Sequence, residues 1–141
     1  MKIIGFNLTK ILVEKKEKLD ENLKITQNID IKNISEEDIK ISKNKAIKID
    51  FNLKIEYSKD YARIELEGNI MTLPDGDDTT QLLDAWKSKK IPEYMRVPIF
   101  NFIMNKCNIK ALYLEDEMSL PLHIPMPKVV LQNKKNDKNL N

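Results

Sequence analysis

Residues 46–72, AIKIDFNLKIEYSKDYARIELEGNIMT, predict two long β-strands joined by a polar turn. In the first arm, apolar side chains occupy the odd-numbered positions from Ile47 to Tyr57, and polar side chains lie between them. In the second arm the apolar positions are even-numbered, from Ala62 to Ile70. This two-residue period is typical of strands with one buried and one solvated face. The hairpin therefore predicts a sheet with an apolar side on which helices can pack.

The change of parity between the two arms restricts how they can pair. One register would set Lys54 opposite Arg63, whereas another sets Lys54 opposite Glu65 and Glu56 opposite Arg63. Opposite charges that face each other across strands contribute about 0.2–1 kcal/mol per pair, and like charges oppose pairing. We therefore predict the second register, with a four-residue loop over residues 58–61.

Two further strands precede this hairpin. Apolar residues alternate from Ile4 to Val13, but the phase changes at residues 9–10, which predicts a long strand with a bulge. Alternation over residues 23–31 predicts a second strand, and the polar run 35–38, SEED, predicts a turn or a short helix after it. The sequence thus predicts an α+β fold with a four-stranded antiparallel sheet and helices packed on one side.

The second half of the chain has helical spacing. A helix is expected over residues 81–89, after a turn at residues 73–78. Pro92 suits the first turn of a second helix that runs to Cys107, and residues 109–118 predict a further short helix.

Apolar residues nearly encircle the second helix, so every side of it should be covered. The sheet can cover only one side, and a second subunit is the expected cover for the other. We therefore predict a homo-oligomer, either a dimer or a tetramer. The residues expected at its interface are Leu83, Trp86, Ile99, Phe100, Ile103 and Met104.

Length and charge restrict the class of protein. The 141 residues suit one domain over residues 1–131, with 132–141 as a polar disordered tail. The 24 basic and 22 acidic residues are interleaved, and this favours a solvated surface over a nucleic-acid interface. No apolar run approaches the roughly 20 residues that cross a bilayer, so no membrane insertion is expected. A single cysteine, Cys107, excludes an intrachain disulfide and suits a cytoplasmic location.

Candidate catalytic and metal sites find little support. The acidic run 75–78, DGDD, lacks the later ligands of a calcium loop, so a turn and helix cap are favoured. Cys107 and His123 could form a nucleophile and base, but no third orienting residue is identifiable. The sequence has only three glycines and no phosphate-binding loop. We therefore predict that the protein is not an enzyme and has no cofactor or metal.

Residues 120–127, LPLHIPMP, cannot form a helix and should run extended along a groove or an edge. Alternate side chains of this stretch are apolar, which predicts a surface that can bind an unfolded polypeptide. The alternative is that these side chains simply hold the segment on the sheet. The candidate binding residues are Leu120, Leu122, Ile124, Met126 and Val129.

Three stretches resemble the SecB family of protein-export chaperones. Residues 6–13, FNLTKILV, are similar to the first strand of that family. Residues 91–97, IPEYMRV, with Ile99, look like its long-helix segment, and residues 120–125, LPLHIP, look like the Pro-Leu-rich segment after that helix. The resemblance covers most of residues 3–127, with 109–118 as an insertion and no counterpart of the family's second helix.

The resemblance implies an ATP-independent holding chaperone that binds unfolded or nascent polypeptides, including preproteins for export, in apolar grooves. Members of the family are usually homotetramers. Two alternatives stand beside this interpretation: a SecB-like chaperone for a toxin–antitoxin component, and an oligomeric interaction module that is not a chaperone.

Overall fold

The computed structural model describes residues 1–18, 22–39 and 45–131. Its elements are β1 (Lys2–Lys15), β2 (Ile25–Glu37), β3 (Ala46–Tyr57), β4 (Ala62–Leu73), α1 (Asp78–Trp86) and α2 (Glu93–Glu117). The strands form one sheet in the order β1-β4-β3-β2, with antiparallel neighbours throughout. The predicted α+β class with a four-stranded antiparallel sheet is therefore confirmed. The predicted tail, residues 132–141, lies outside the described residues.

The β3–β4 hairpin has the predicted register. Lys54 pairs with Glu65, and Glu56 pairs with Arg63. The turn covers residues 58–61, and its two central residues have φ angles of 55° and 58°. Two successive left-handed residues give the turn whose twist matches that of the flanking strands. The charge pattern across the arms and the geometry of the turn thus favour the same pairing.

β1 carries the predicted irregularity. The register of β1 against β4 shifts between Leu8 and Lys10, with a second shift between Ile3 and Gly5. Gly68 of β4 faces the first of these shifts, and a Cβ atom built on it would lie 2.1 Å from the backbone oxygen of Asn7. A glycine is therefore required where the bulge brings the two backbones together.

β2 is longer than predicted. Residues 35–37, for which a turn or short helix was expected, continue the strand, and Ser35 pairs with Lys48. The reason is a register shift between Ile31 and Asn33, which changes the parity of the strand and turns Ile34 into the core at 5% exposure. The polar residues 35–37 did not suggest a strand. They occur in one here because β2 is an edge strand with a single neighbour.

The two faces of the sheet differ in polarity. The inner face carries the odd-numbered apolar residues of β3 and the even-numbered ones of β4, and these are fully or nearly fully buried. On the outer face, the Asn52 side chain donates hydrogen bonds to Glu65 and Glu67, at 2.8 and 2.9 Å. That hydrogen bond, together with Lys10, lowers the pKa of the Glu65 carboxyl. The sheet thus presents its apolar face to the helices, and polar side chains that pair with one another line its outer face.

The two helices follow the sheet in the chain. α1 begins at Asp78, earlier than predicted, and ends at Trp86. α2 is one helix from Glu93 to Glu117, so the separate short helix predicted for residues 109–118 is wrong. Every fourth residue of α2 from Met95 to Glu115 is buried, and this spacing keeps the same face on the sheet past residue 108. Residues 109–118 are therefore the continuation of the long helix and not an insertion after it.

Candidate functional site

The faces of α2 have different surroundings. The face opposite the buried stripe recurs every four residues from Val97 and includes Asn101, Asn105, Ile109 and Tyr113. Val97, Ile109 and Tyr113 are 51%, 71% and 57% exposed. The two asparagines interrupt this outward face, so the helix is not apolar on all sides as the sequence indicated. The four-residue spacing of these positions could have indicated the outward face, but the many apolar residues of the helix obscured it.

The six residues predicted at an oligomer interface fall into two groups. Ile99 and Ile103 are fully buried within the subunit, on the stripe that contacts the sheet. They belong to the core and cannot contact another subunit. Leu83, Trp86 and Phe100 are half-buried against that core, and Met104 is also half-buried. The exposed apolar residues of the outward face were missing from the prediction.

A groove of about 710 Å³ lies between β2 and the two helices. Its apolar wall consists of Ile29, Ile31, Trp86, Ile91 and Phe100, all half-buried. Charged side chains complete the lining: Asp30, Lys32, Lys89, Lys90 and Arg96. We call this surface the β2–α2 groove.

A second and smaller groove lies on the other flank of α2, toward β1. It is lined by Phe6, Leu8, Lys106, Ile109, Lys110 and Tyr113, and its volume is about 440 Å³. Beneath it, the Phe6 ring contacts the Phe102 ring with the centroids 6.2 Å apart. Apolar grooves rimmed by lysines therefore flank α2 on both sides.

The Pro-rich stretch runs without regular secondary structure, as predicted for residues 120–127, and the described chain continues in this way to residue 131. Leu120 is only 5% exposed and packs in the core, so it anchors the stretch and is not accessible to a ligand. Leu122, Met126 and Val129 are 40%, 51% and 103% exposed, and Ile124 is half-buried. Four of the five predicted binding residues thus reach the surface to some degree.

A buried polar cluster holds the start of this stretch. His123 Nδ1 lies 2.7 Å from Glu115 Oε1, and Nε2 lies 2.9 Å from Asn108 Oδ1, which also accepts a hydrogen bond from Gln27. The side chains of His123 and Glu115 are 2% and 0% exposed. Each ring nitrogen thus lies within hydrogen-bond distance of a side-chain oxygen, so the ring is held between Glu115 and Asn108. We call these residues, with Tyr57, the His123 cluster.

Tyr57 of β3 makes a further contact with the start of the Pro-rich stretch. Its hydroxyl lies 2.5 Å from Glu115 Oε2 and 2.6 Å from the backbone oxygen of Pro121. Burial, followed by the neighbouring carboxylate of Glu115, raises the pKa of the Tyr57 hydroxyl. The hydroxyl therefore keeps its proton and links the Pro-rich stretch to the sheet and to α2.

The sequence did not reveal this cluster, because its members are up to 96 positions apart, from Gln27 to His123. One signal was present, an acidic residue at position 115 on the buried four-residue stripe. His123 had been considered only as a base for Cys107. Its ring nitrogens contact Glu115 and Asn108 instead, and burial raises the pKa of the Cys107 thiol to about 12.

The acidic run 75–78 has structural partners. Asp75 pairs with the amino group of Met1, and Asp78 accepts a hydrogen bond from Tyr94 at 2.9 Å. Within residues 1–18, 22–39 and 45–131, no group of three or more His, Cys, Asp or Glu side chains could hold a metal ion. In the same ranges, neither helix is long and apolar enough to span a membrane.

Comparison with known proteins identifies the fold. No family model matches the sequence, and no curated protein matches it. Among solved structures, the chain is similar to the Mycobacterium tuberculosis SecB-like chaperone Rv1957, solved in complex with a ChAD peptide from the HigA1 antitoxin, Rv1956. The similarity covers 94% of this chain and 91% of the other, with a TM-score of 0.52 and 14% sequence identity. The chain therefore has the fold of a SecB-like chaperone.

Proposed function

We propose that this protein is a SecB-like chaperone that holds an apolar segment of a partner polypeptide without using nucleotide. The observation that carries the proposal is the exposed apolar stretch after residue 121, which is anchored by buried polar contacts on the β2 side of α2. The toxin–antitoxin alternative is the better supported form of this proposal, since the structural neighbour was solved with an antitoxin peptide. Preprotein export rests on the sequence resemblance alone.

The proposed binding surface combines two features on the same flank of α2. At one end, Asn108 of α2 contacts His123 and also accepts a hydrogen bond from Gln27 of β2. Ile29, the next inward residue of β2, and Phe100, two helical turns before Asn108, line the β2–α2 groove. The Pro-rich stretch and the groove thus lie along one side of the helix, and together they offer apolar surface beside charged side chains. Burial of a partner's apolar side chains there would contribute about 25 cal/mol per Å², less the cost of ordering the partner.

Aggregation of a chemically denatured substrate tests the proposal. With no ATP added, we expect the protein to suppress light scattering at a near-stoichiometric ratio. Replacement of Leu122 and Met126 by Ser should weaken this protection several-fold, because their apolar surface is accessible at 40% and 51% exposure. Replacement of Ile4 and Ile11 by Ser is the matched control, since these β1 residues are 43% and 47% exposed.

Two results would decide against the proposal. If the folded protein neither binds nor protects any unfolded chain, an interaction module without chaperone activity takes its place. If the β1 control loses as much protection as the Leu122 and Met126 variant, exposed apolar area in general is responsible and the Pro-rich stretch is not the site. An antitoxin fragment and a signal-bearing preprotein, compared as substrates, distinguish the two chaperone roles.

We further propose that the chain forms a homo-oligomer in the cytoplasm and that the outward face of α2 contributes to the contact between subunits. Val97, Ile109 and Tyr113 are the large apolar side chains of that face and are each more than half exposed in the subunit. Exposed apolar side chains on one helix face, such as the adjacent Ile109 and Tyr113, can be covered by a second subunit.

A further inference from the structure

We propose that the β2–α2 groove selects polypeptide segments in which apolar or aromatic side chains are flanked by Asp or Glu. This inference rests on the proposed function and specifies the class of segment that the protein holds. The observation behind it is the sign of the charge around the groove, which differs from the balance of the chain as a whole.

The wall of the groove can accommodate apolar side chains of a partner segment. Ile29 and Ile31 project from the inner face of β2, and Phe100 projects from the flank of α2 above them. Trp86, the last residue of α1, completes the apolar wall. All four side chains are half-buried, so each keeps apolar surface that a partner could cover.

The rim supplies an excess of positive charge. Four basic residues and one acidic residue line the groove, although the whole chain has 24 basic and 22 acidic residues. The one carboxylate, Asp30, lies 3.1 Å from Lys32. Among the described residues, no carboxylate lies within ion-pair distance of Lys90 or Arg96. The rim therefore has cationic groups available to a partner's carboxylates.

The geometry of these cations favours carboxylates beside an aromatic or aliphatic anchor. Lys89 Nζ lies 4.6 Å from the centre of the Trp86 ring, so a positive charge stands directly beside the apolar wall. Arg96, on the first turn of α2, can bind a carboxylate through two parallel hydrogen bonds. A segment with an acidic residue on either side of its apolar anchor would meet opposite charges, whereas a lysine-flanked segment would meet like charges.

The chain's own C-terminal residues do not match this rim. Residues 132–141 contain three lysines and one aspartate. Their net charge has the same sign as the groove, so they would be disfavoured there. The occupant that fits the charge is a partner polypeptide with acidic flanks.

Trp86 provides a direct readout of occupancy, because it is the only tryptophan in the chain. Three peptides that lack tryptophan share one apolar core of Leu and Phe and differ in their flanks, which are Asp and Glu, Ser and Asn, or Lys. We expect the acid-flanked peptide to shift Trp86 emission and to bind at least about tenfold more tightly than the lysine-flanked one. Added salt should reduce this difference, because the rim charges are exposed to solvent.

Charge reversal tests which basic residues cause the preference for acid-flanked peptides. Replacement of Lys90 and Arg96 by Glu should abolish or invert the order of the three peptides. Replacement of Lys106 and Lys110 by Glu makes the same charge change on the other flank of α2 and should leave the order unchanged. Thermal unfolding of each variant verifies that it is folded before peptides are compared.

The possible outcomes separate this inference from the proposed function. If all three peptides bind equally and the affinity does not depend on salt, the inference is wrong while the chaperone proposal stands. If none of the peptides shifts Trp86 emission while the protein still suppresses aggregation, the inference is wrong and the chaperone proposal stands. If aggregation is not suppressed either, the proposed function fails as well. If the Lys106 and Lys110 variant loses the preference to the same extent, net charge is responsible and the groove is not. If peptides bind only as the oligomer dissociates, the groove is a contact between subunits and the inference is overturned.

Discussion

Gly68 shows how one residue can be fixed by backbone geometry alone. The β1 bulge brings Asn7 and Leu8 against it, so that an added Cβ would lie 2.1 Å from the Asn7 oxygen and 3.1 Å from the Leu8 Cα. Both neighbours are backbone atoms, which cannot move aside as a flexible side chain can. The strand interior therefore excludes every other residue type at this position.

Replacement of Gly68 by Ala should lower the free energy of unfolding by about 3 kcal/mol, as overpacking against backbone does. Urea denaturation measures this value. Replacement of Gly5 by Ala is the control, because its added Cβ would meet the Met71 side chain at an ordinary 3.6 Å. Its effect should stay within about 1 kcal/mol. Equal effects at the two positions would show that the β1 bulge does not impose the glycine.

Among the elements, the strands were the most predictable from the sequence. Their two-residue period and the charges across the β3–β4 hairpin depend on neighbours in one sheet, and both are visible in a short stretch. The end of β2 was missed because a bulge after Ile31 reverses the parity that the pattern depends on. The full length of α2 was missed because Glu115 looks like a solvated residue until its partners in β3 and the Pro-rich stretch are known.

The Pro-rich stretch depends on the His123 cluster for its position. Replacement of Tyr57 by Phe removes the hydroxyl that contacts both Glu115 and Pro121. We expect a loss of about 1–3 kcal/mol of stability, since the buried acceptor that receives the single hydroxyl proton is left without it. Hydrogen exchange at the His123 amide, which donates to Glu115, should become faster.

Tyr61 offers a matched control for this change. It is buried at 7% exposure at the end of the same hairpin, and its hydroxyl has no hydrogen-bond partner among the described residues. Replacement of Tyr61 by Phe should therefore leave exchange at His123 unchanged. If Tyr57 and Tyr61 variants behave alike, the hydroxyl of Tyr57 does not hold the stretch in place.

For the molecule as a whole, the sequence predicted the architecture better than the surfaces. Composition and periodicity identified one apolar sheet face, helices to cover it and an apolar stretch after the last helix. The β2–α2 groove was not predicted from the sequence, because two of its residues, Trp86 and Phe100, were assigned to an interface between subunits. Which flank of a helix stays open depends on how it crosses the sheet, and local spacing does not contain that information.

The assembly can be tested on the outward face of α2. Replacement of Ile109 and Tyr113 by Asp should reduce the mass measured by light scattering, because charges at an apolar contact oppose association. Both side chains are exposed in the subunit, so the variant should remain folded. Replacement of Ile11 by Asp, at a β1 position that is 47% exposed, is the control. A wild-type protein that is monomeric at micromolar concentration would remove the basis for the oligomer.

The His123 cluster also limits how far the end of the Pro-rich stretch can extend from the rest of the molecule. Detaching His123 would remove the contacts that its ring Nδ1 and its backbone amide make with the buried carboxylate of Glu115, which is destabilising, so the stretch does not swing away as a whole. Among the described residues, no hydrogen bond joins residues 125–131 to the rest of the molecule. These seven residues, fully extended, span at most about 25 Å. Met126 and Val129 can therefore contact a partner only within that distance of the His123 cluster, however large the partner is.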